Sequence, residues 1–178
     1  MGGPEHWFCD FVYTYVVCKL HFSIKQATNI VATFWIVFTL TRVFGVYVAD
    51  KFKPRTIYFF NAIVTTATFF ILYLISSSNS NFMDLAIWLA TIVLAISYAT
   101  CFAAGISWIA EFIPVTGLYA CFPGIGNYVG QMLPALATGI LHRDPTMWFF
   151  YGGVYASGML LFSIILQTFG TRLRASLK

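Results

Sequence analysis

Five long apolar segments dominate this sequence, each 20 to 26 residues long and separated from the next by a short polar break. A helix rises about 1.5 Å per residue, so about 20 apolar residues cross a hydrocarbon core about 30 Å thick. In lipid only a helix or a closed barrel satisfies its own backbone, and these segments are twice as long as a barrel strand. The pattern predicts an all-α membrane protein.

The predicted helices cover residues 7–20, 28–49, 56–75, 85–110, 117–141 and 147–170, after a short N-terminal tail at residues 1–6. The first helix is too short to cross the bilayer alone, so it resembles half a span. Pro123 and Pro134 predict that the helix at 117–141 is kinked or partly unwound. Residues 7–178 are therefore predicted to form a six-helix bundle of five full spans and one shortened first helix.

The basic residues predict the orientation of the chain in the membrane. One set of loops and the C-terminal tail hold Lys51, Lys53, Arg55, Arg172, Arg174 and Lys178, whereas the other set holds Lys19, Lys25 and Arg143. Cytoplasmic loops carry the excess of Lys and Arg, so the loop at 50–55 and the C-terminus are predicted to be cytoplasmic. Because these charges are spread thinly over loops, no nucleic-acid partner is expected; the lipid bilayer is the predicted partner.

Arg42 is the sharpest single feature, because it lies well inside an apolar segment. An arginine at that depth costs about 2.5 to 3.5 kcal/mol on insertion scales and is a functional candidate by default. Two interpretations stay open. Its long side chain can reach the headgroups or act as a structural gate, or it can contact a solute directly.

Five further side chains are candidate solute contacts. Asn127 and Gln131 lie four residues apart on one helical face, and buried amides need protein or water partners. Trp108, Tyr13 and Tyr15 offer flat apolar faces with a polar edge, on which a sugar ring can pack. Interhelical hydrogen bonding and core packing are the alternatives for these positions.

Enzyme signatures and metal sites are not expected. The segment at 105–109, GISWI, lacks the second glycine of a nucleophile elbow. His6, His21 and His142 have no carboxylate or cysteine partner at metal-ligand spacing. The sequence predicts neither an enzyme nor a bound cofactor.

A resemblance to a known family appears at residues 41–56, which read TRVFGVYVADKFKPRT. This segment resembles the signature repeat of the major facilitator superfamily, a glycine, an acidic-basic pair and further basic residues between the eighth and ninth helices. The resemblance implies that Asp50, Lys51 and Arg55 form a cytoplasmic gating latch. Lys53 stands where the signature has its second glycine.

The motifs KPRT at 53–56, GISW at 105–108 and VTG at 115–117 together resemble the sodium-dependent glucose transporter branch of that superfamily. The resemblance implies the C-terminal half of a twelve-helix fold, in which two six-helix bundles enclose a central cavity. It further implies a second bundle as partner, glucose or a related hexose as solute, and sodium or a proton as coupling ion.

The function expected is therefore transport of a small polar solute by a secondary carrier, of which this chain is a half or a fragment, in the plasma membrane. The alternative is a non-transporting membrane protein that assembles with other membrane proteins or regulates them.

Overall fold

A computed structural model describes residues 3–78, 82–110, 125–126, 128–132, 136 and 145–176 of the chain. Within these ranges the regular structure is helical throughout, without a strand. The long helices are α1 (Gly3–Cys18), α2 (Ile24–Lys51), α3 (Pro54–Ser77), α4 (Met83–Ala110) and α5 (Met147–Ser176). The all-α prediction is confirmed for this part of the chain.

Four of the described helices are long and apolar enough to cross a membrane, over Ile24–Gly45, Pro54–Ser77, Met83–Ala110 and Met147–Ile165. Helix α1 has 16 residues and is about 24 Å long, shorter than the hydrocarbon core. A multi-pass membrane protein is thus confirmed. The predicted helix at 117–141 lies mostly outside the described residues, so the six-helix count stays a prediction.

The predicted N-terminal tail at residues 1–6 differs from the structure, because α1 begins at Gly3 and ends at Cys18. Its buried face continues with helical spacing through Glu5, Phe8, Val12 and Val16, so residues before the apolar run also pack on the bundle. Three residues after the helix ends, His21 takes a left-handed conformation at φ 54°.

Several other helix ends lie a few residues outside the predicted bounds, whereas the end of α4 at Ala110 and the start of α5 at Met147 match them. Helix α2 begins at Ile24 rather than at 28, since the Ser23 hydroxyl accepts a hydrogen bond from the Gln26 backbone N–H at 3.3 Å. Pro54 occupies the first turn of α3, where the ring's fixed φ suits a helix start.

Ring contacts give the directions of α4 and α5 relative to α3. Trp108 of α4 packs against Tyr58 near the start of α3, whereas Phe150 of α5 packs against Tyr73 near the end of α3. Helices α4 and α5 therefore both run antiparallel to α3. The end of α5 and the Lys51 end of α2 lie at the same end of the bundle, hereafter the Lys51 end.

The main hydrophobic core surrounds α1. Phe8 contacts Phe34 of α2 and Phe69 of α3, with ring centroids 5.8 and 6.0 Å apart. Phe11 contacts Trp148 of α5 at 4.7 Å. Buried aromatic side chains dominate this core and hold α1 against its neighbours.

The outward faces of the long helices remain apolar. On α2, Phe44 and Tyr47 are 64% and 68% exposed, and Ile36, Leu40 and Val43 are also exposed. Such a surface is stable against lipid tails, which are as apolar as these side chains. The bundle therefore places its aromatic core inside and an aliphatic and aromatic surface toward the bilayer.

Candidate functional site

A cavity of about 430 Å³ lies between α2, α3 and α4 in the Lys51 half of the bundle. Its size falls within the range of about 300 to 1,000 Å³ that is typical of small-molecule sites. The lining residues are Arg42, Gly45, Val48, Ala49, Pro54, Ile57, Ala99, Thr100, Ala103, Ala104 and Ser107.

Small side chains create this cavity. Ala99, Ala103 and Ala104 line it from α4, and Gly45 lines it from α2. A Cβ atom added at Gly45 would lie 3.3 Å from the Thr100 side chain. Close approach of α2 and α4 at this point, combined with alanine elsewhere, leaves room between the helices.

Arg42 supplies the positive charge of the cavity lining. It follows Ala27, Ile30, Phe34 and Phe38 at helical spacing, so it lies on the same face of α2 as these buried residues. Its guanidinium carbon lies 4.4 Å from the centroid of the Phe38 ring, a cation–π contact. The side chain itself is exposed, which leaves its donors accessible to a molecule in the cavity.

Two further polar side chains, those of Thr100 and Ser107, line the cavity. The Asn61 amide of α3 donates a hydrogen bond of 2.7 Å to the Thr100 hydroxyl, which in turn donates to the Ile96 carbonyl. This chain joins α3 to α4 beside the cavity and satisfies the buried amide. Ser107, one turn before the end of α4, is exposed.

The predicted latch residues lie at the Lys51 end. Helix α2 ends at Lys51, Phe52 is extended, and α3 begins at Pro54. Lys51 and Arg55 are exposed, while for Asp50 the structure describes only its position in the last turn of α2. Their gating role stays a prediction.

Tyr15 lies far from this cavity. It is 2% exposed, its hydroxyl shares a 2.6 Å hydrogen bond with the Ser76 hydroxyl, and its ring packs against Phe149. Ser76 and Tyr58 are separated by 18 positions along α3, or about 27 Å. Tyr13, on the same helix as Tyr15, is half-buried.

Trp108 occupies the opposite end of the bundle. It is 5% exposed and packs with Tyr58 and Phe59 in a small cluster next to the cavity residue Ala104. The predicted aromatic contacts therefore do not converge on one site. Trp108 is close to the cavity, whereas Tyr15 is part of the packing at the other end.

The two predicted amides are only partly described. Gln131 is helical and half-buried. Its neighbour Gly130 is packed closely, since an added Cβ would lie 3.1 Å from the Tyr155 hydroxyl of α5. Asn127 lies outside the described residues, and both solute contacts stay predictions.

Glu5 is a buried polar residue that the sequence analysis placed in the tail. Its side chain is 6% exposed, and its Oε2 atom has no hydrogen-bond partner within the described part of the chain. Helical spacing from Glu5 to Phe8 and Val12 was the available signal, because it places the carboxylate on the same face as the apolar residues.

Replacing Ser76 by alanine is expected to lower the free energy of unfolding by about 0.6 kcal/mol, and at most by about 1.7 kcal/mol, because the change removes one interhelical hydrogen bond. The measurement is the unfolding midpoint of the purified chain in detergent. Tyr15→Phe removes the other hydroxyl of the same hydrogen bond and is the matched variant. Unchanged midpoints in both variants would contradict a packing role for this bond.

Comparison with curated proteins gives homologues over most of the chain. It is 30% identical to sodium-dependent glucose transporter 1 of Danio rerio over 135 residues, 75% of this chain and 22% of that protein. It is 28% identical to sodium-dependent glucose transporter 1A of Mus musculus over 139 residues, 78% of this chain and 32% of that protein. It is 26% identical to major facilitator superfamily domain-containing protein 4A of Xenopus tropicalis over 173 residues, 95% of this chain and 33% of that protein.

These relatives are about three to five times as long as the matched segment, and the chain spans about a fifth to a third of their length. No protein-family model matches the chain, and no solved structure matches it.

Proposed function

Because this chain is homologous to part of a major-facilitator-type transporter, we propose that it forms one wall of a transmembrane passage for a small polar solute. The observation that carries the proposal is the cavity of about 430 Å³, placed in a segment related to named transporters. A mostly apolar cavity with a few polar groups is typical of small-molecule sites. In this cavity those groups are Arg42, Thr100 and Ser107.

Glucose or a related hexose is the proposed solute. Support comes from the names of the relatives in Danio rerio and Mus musculus, both sodium-dependent glucose transporters, and from the chemistry of the cavity. Arg42 can donate hydrogen bonds to sugar hydroxyls, and Ser107 can donate or accept them. Trp108, Asn127 and Gln131 are proposed to border the solute pathway.

The second wall is proposed to be another six-helix bundle. A cavity between only three described helices is open to its surroundings unless a further structure faces it, and the relatives contain several times more chain. The Lys51 end is proposed to face the cytoplasm of the plasma membrane, since the exposed Lys51, Lys53 and Arg55 gather there. Sodium or a proton is the proposed coupling ion.

The test is a chimera in which this chain replaces the homologous 135-residue segment of the Danio rerio glucose transporter. We expect uptake of labelled glucose into cells that express the chimera, competed by unlabelled hexoses and above that of cells with an empty vector. Surface biotinylation reports how much chimera reaches the plasma membrane. Uptake is compared at equal surface amounts, with and without sodium.

The same experiment distinguishes transport from the alternative, non-transporting function. A chimera that reaches the surface in normal amounts and takes up none of a panel of hexoses, amino acids and nucleosides contradicts the transport proposal. That result would favour a non-transporting protein that assembles with other membrane proteins.

A further inference from the structure

Glu5 combines deep burial with an unsatisfied oxygen. The carboxyl lies in the first turn of α1 and is 94% buried, and its Oε2 atom lacks a hydrogen-bond partner in the described ranges. Tyr98 of α4 is likewise buried with its hydroxyl unpartnered in those ranges. A buried carboxylate without hydrogen bonds is far less stable than its neutral acid, because the charged form loses its hydration.

The groups that interact electrostatically with Glu5 come from three helices. Within the described part of the chain these are Cys9 of α1, Arg42 of α2, and Tyr98 and Cys101 of α4. Arg42 is the cationic side chain of the set, and it forms its recorded close contact with Phe38 rather than with Glu5.

We propose that Glu5 is a proton-binding site whose protonation holds the first turn of α1 in the bundle core. With the proton bound, the neutral acid is compatible with the surrounding aromatic packing. When the proton leaves to water, the pair of Glu5 and Arg42 changes from a net charge of +1 to zero. The carboxylate is then drawn toward water and toward the exposed Arg42 guanidinium, and the first turn of α1 leaves the core.

A proton fits this position better than a metal cation. Hard cations require several oxygen ligands, whereas the titratable groups that interact with Glu5 in the described ranges supply one hydroxyl, that of Tyr98, and two thiols. No group of three His, Cys, Asp or Glu side chains in the described ranges is placed to hold a metal ion. A proton needs a single oxygen, and Oε2 is unpartnered.

The sign of the pH dependence follows from proton binding. The docked turn holds a proton that a carboxyl in water, with a pKa near 4.3, releases. Docking is therefore strongest in acid, and it weakens as pH rises above that value. Each pKa unit of difference between the two states changes the docking equilibrium up to tenfold.

The reactivity of two cysteines on α1 reports whether its first turn is packed in the core. Cys9 is buried one turn from Glu5, whereas Cys18 is exposed at the other end of the helix. The purified full chain in lipid nanodiscs is treated with a small maleimide across a pH series, and labelling of each cysteine is measured by peptide mass spectrometry. We expect the Cys9-to-Cys18 labelling ratio to rise about tenfold or more from acid to mildly alkaline pH.

Glu5→Gln keeps the side-chain size and remains neutral, so its ratio is expected to stay low at every pH. Asp10→Asn removes the exposed acid on the same helix and is expected to keep the wild-type response. A pH-independent ratio in the wild-type chain, or a Glu5→Gln chain that still responds, overturns the proposal.

Infrared spectroscopy keeps the proposal testable if Glu5→Gln fails to fold. The wild-type chain and Asp10→Asn are both expected to show the carbonyl band of a protonated carboxyl at neutral pH. Absence of that band from the folded wild-type chain overturns the proposal.

Discussion

Replacing Gly152 by alanine is expected to lower the free energy of unfolding by about 1–3 kcal/mol, the usual cost of overpacking a tight core. An added Cβ would lie 2.7 Å from two ring carbons of Phe69 and 3.0 Å from the Trp7 ring. Both aromatic side chains are buried in the main core. Three helices, α1, α3 and α5, therefore have to shift to accept one methyl group.

Gly158→Ala is the matched control on the same helix, because nothing lies within 4 Å of the Cβ that it adds. Alanine is a better helix former than glycine, by about 0.5 to 1 kcal/mol, so this variant is expected to be at least as stable as the wild type. Unfolding midpoints of both variants in detergent are the measurement. Equal midpoints for Gly152→Ala and Gly158→Ala would contradict the close packing of α5 on α3.

Replacing Arg42 by alanine in the chimera is expected to reduce labelled-glucose uptake by about tenfold or more. A hydrogen bond from a charged donor contributes about 1.5 to 3 kcal/mol, and about 1.4 kcal/mol corresponds to a factor of ten in affinity. Arg42 lines the cavity and its guanidinium is exposed there. The loss is expected mainly as a higher KM for glucose, because the proposed role of the arginine is to bind the solute.

Lys25→Ala is the control for this change, since Lys25 is an exposed cation at the other end of α2. It is expected to leave uptake unchanged at equal surface amounts. Arg42→Lys retains the charge but loses the planar donor geometry, so an intermediate uptake is expected. Full uptake by Arg42→Ala would remove Arg42 from the solute pathway and leave it a structural role at the Phe38 ring.

The sequence was sufficient to predict the spans. Lengths of apolar segments predicted the four long helices that the structure describes, because the thickness of the bilayer sets how many residues must be apolar. The short first helix followed from the same argument. Ser23 and Pro54 are strong local signals for helix starts, and α2 and α3 begin at Ile24 and Pro54.

The sequence did not predict which faces of the helices pack against one another. A soluble helix shows its buried face by an apolar stripe, whereas a membrane helix is apolar toward both protein and lipid. The sequence therefore could not show that Tyr15 packs against Ser76 and Phe149, or that Trp108 packs against Tyr58 and Phe59. It also could not show that Ala99 and Ala104 border a cavity with Arg42.

Length and hydrophobicity alone determined that this chain folds as helices across a bilayer, because the backbone must satisfy its own hydrogen bonds wherever water is absent. Only the tertiary structure decided which polar groups lose their contact with water. Glu5 is the clearest case: its carboxyl is buried, and the groups that interact with it, Arg42 of α2 and Tyr98 of α4, are distant in sequence.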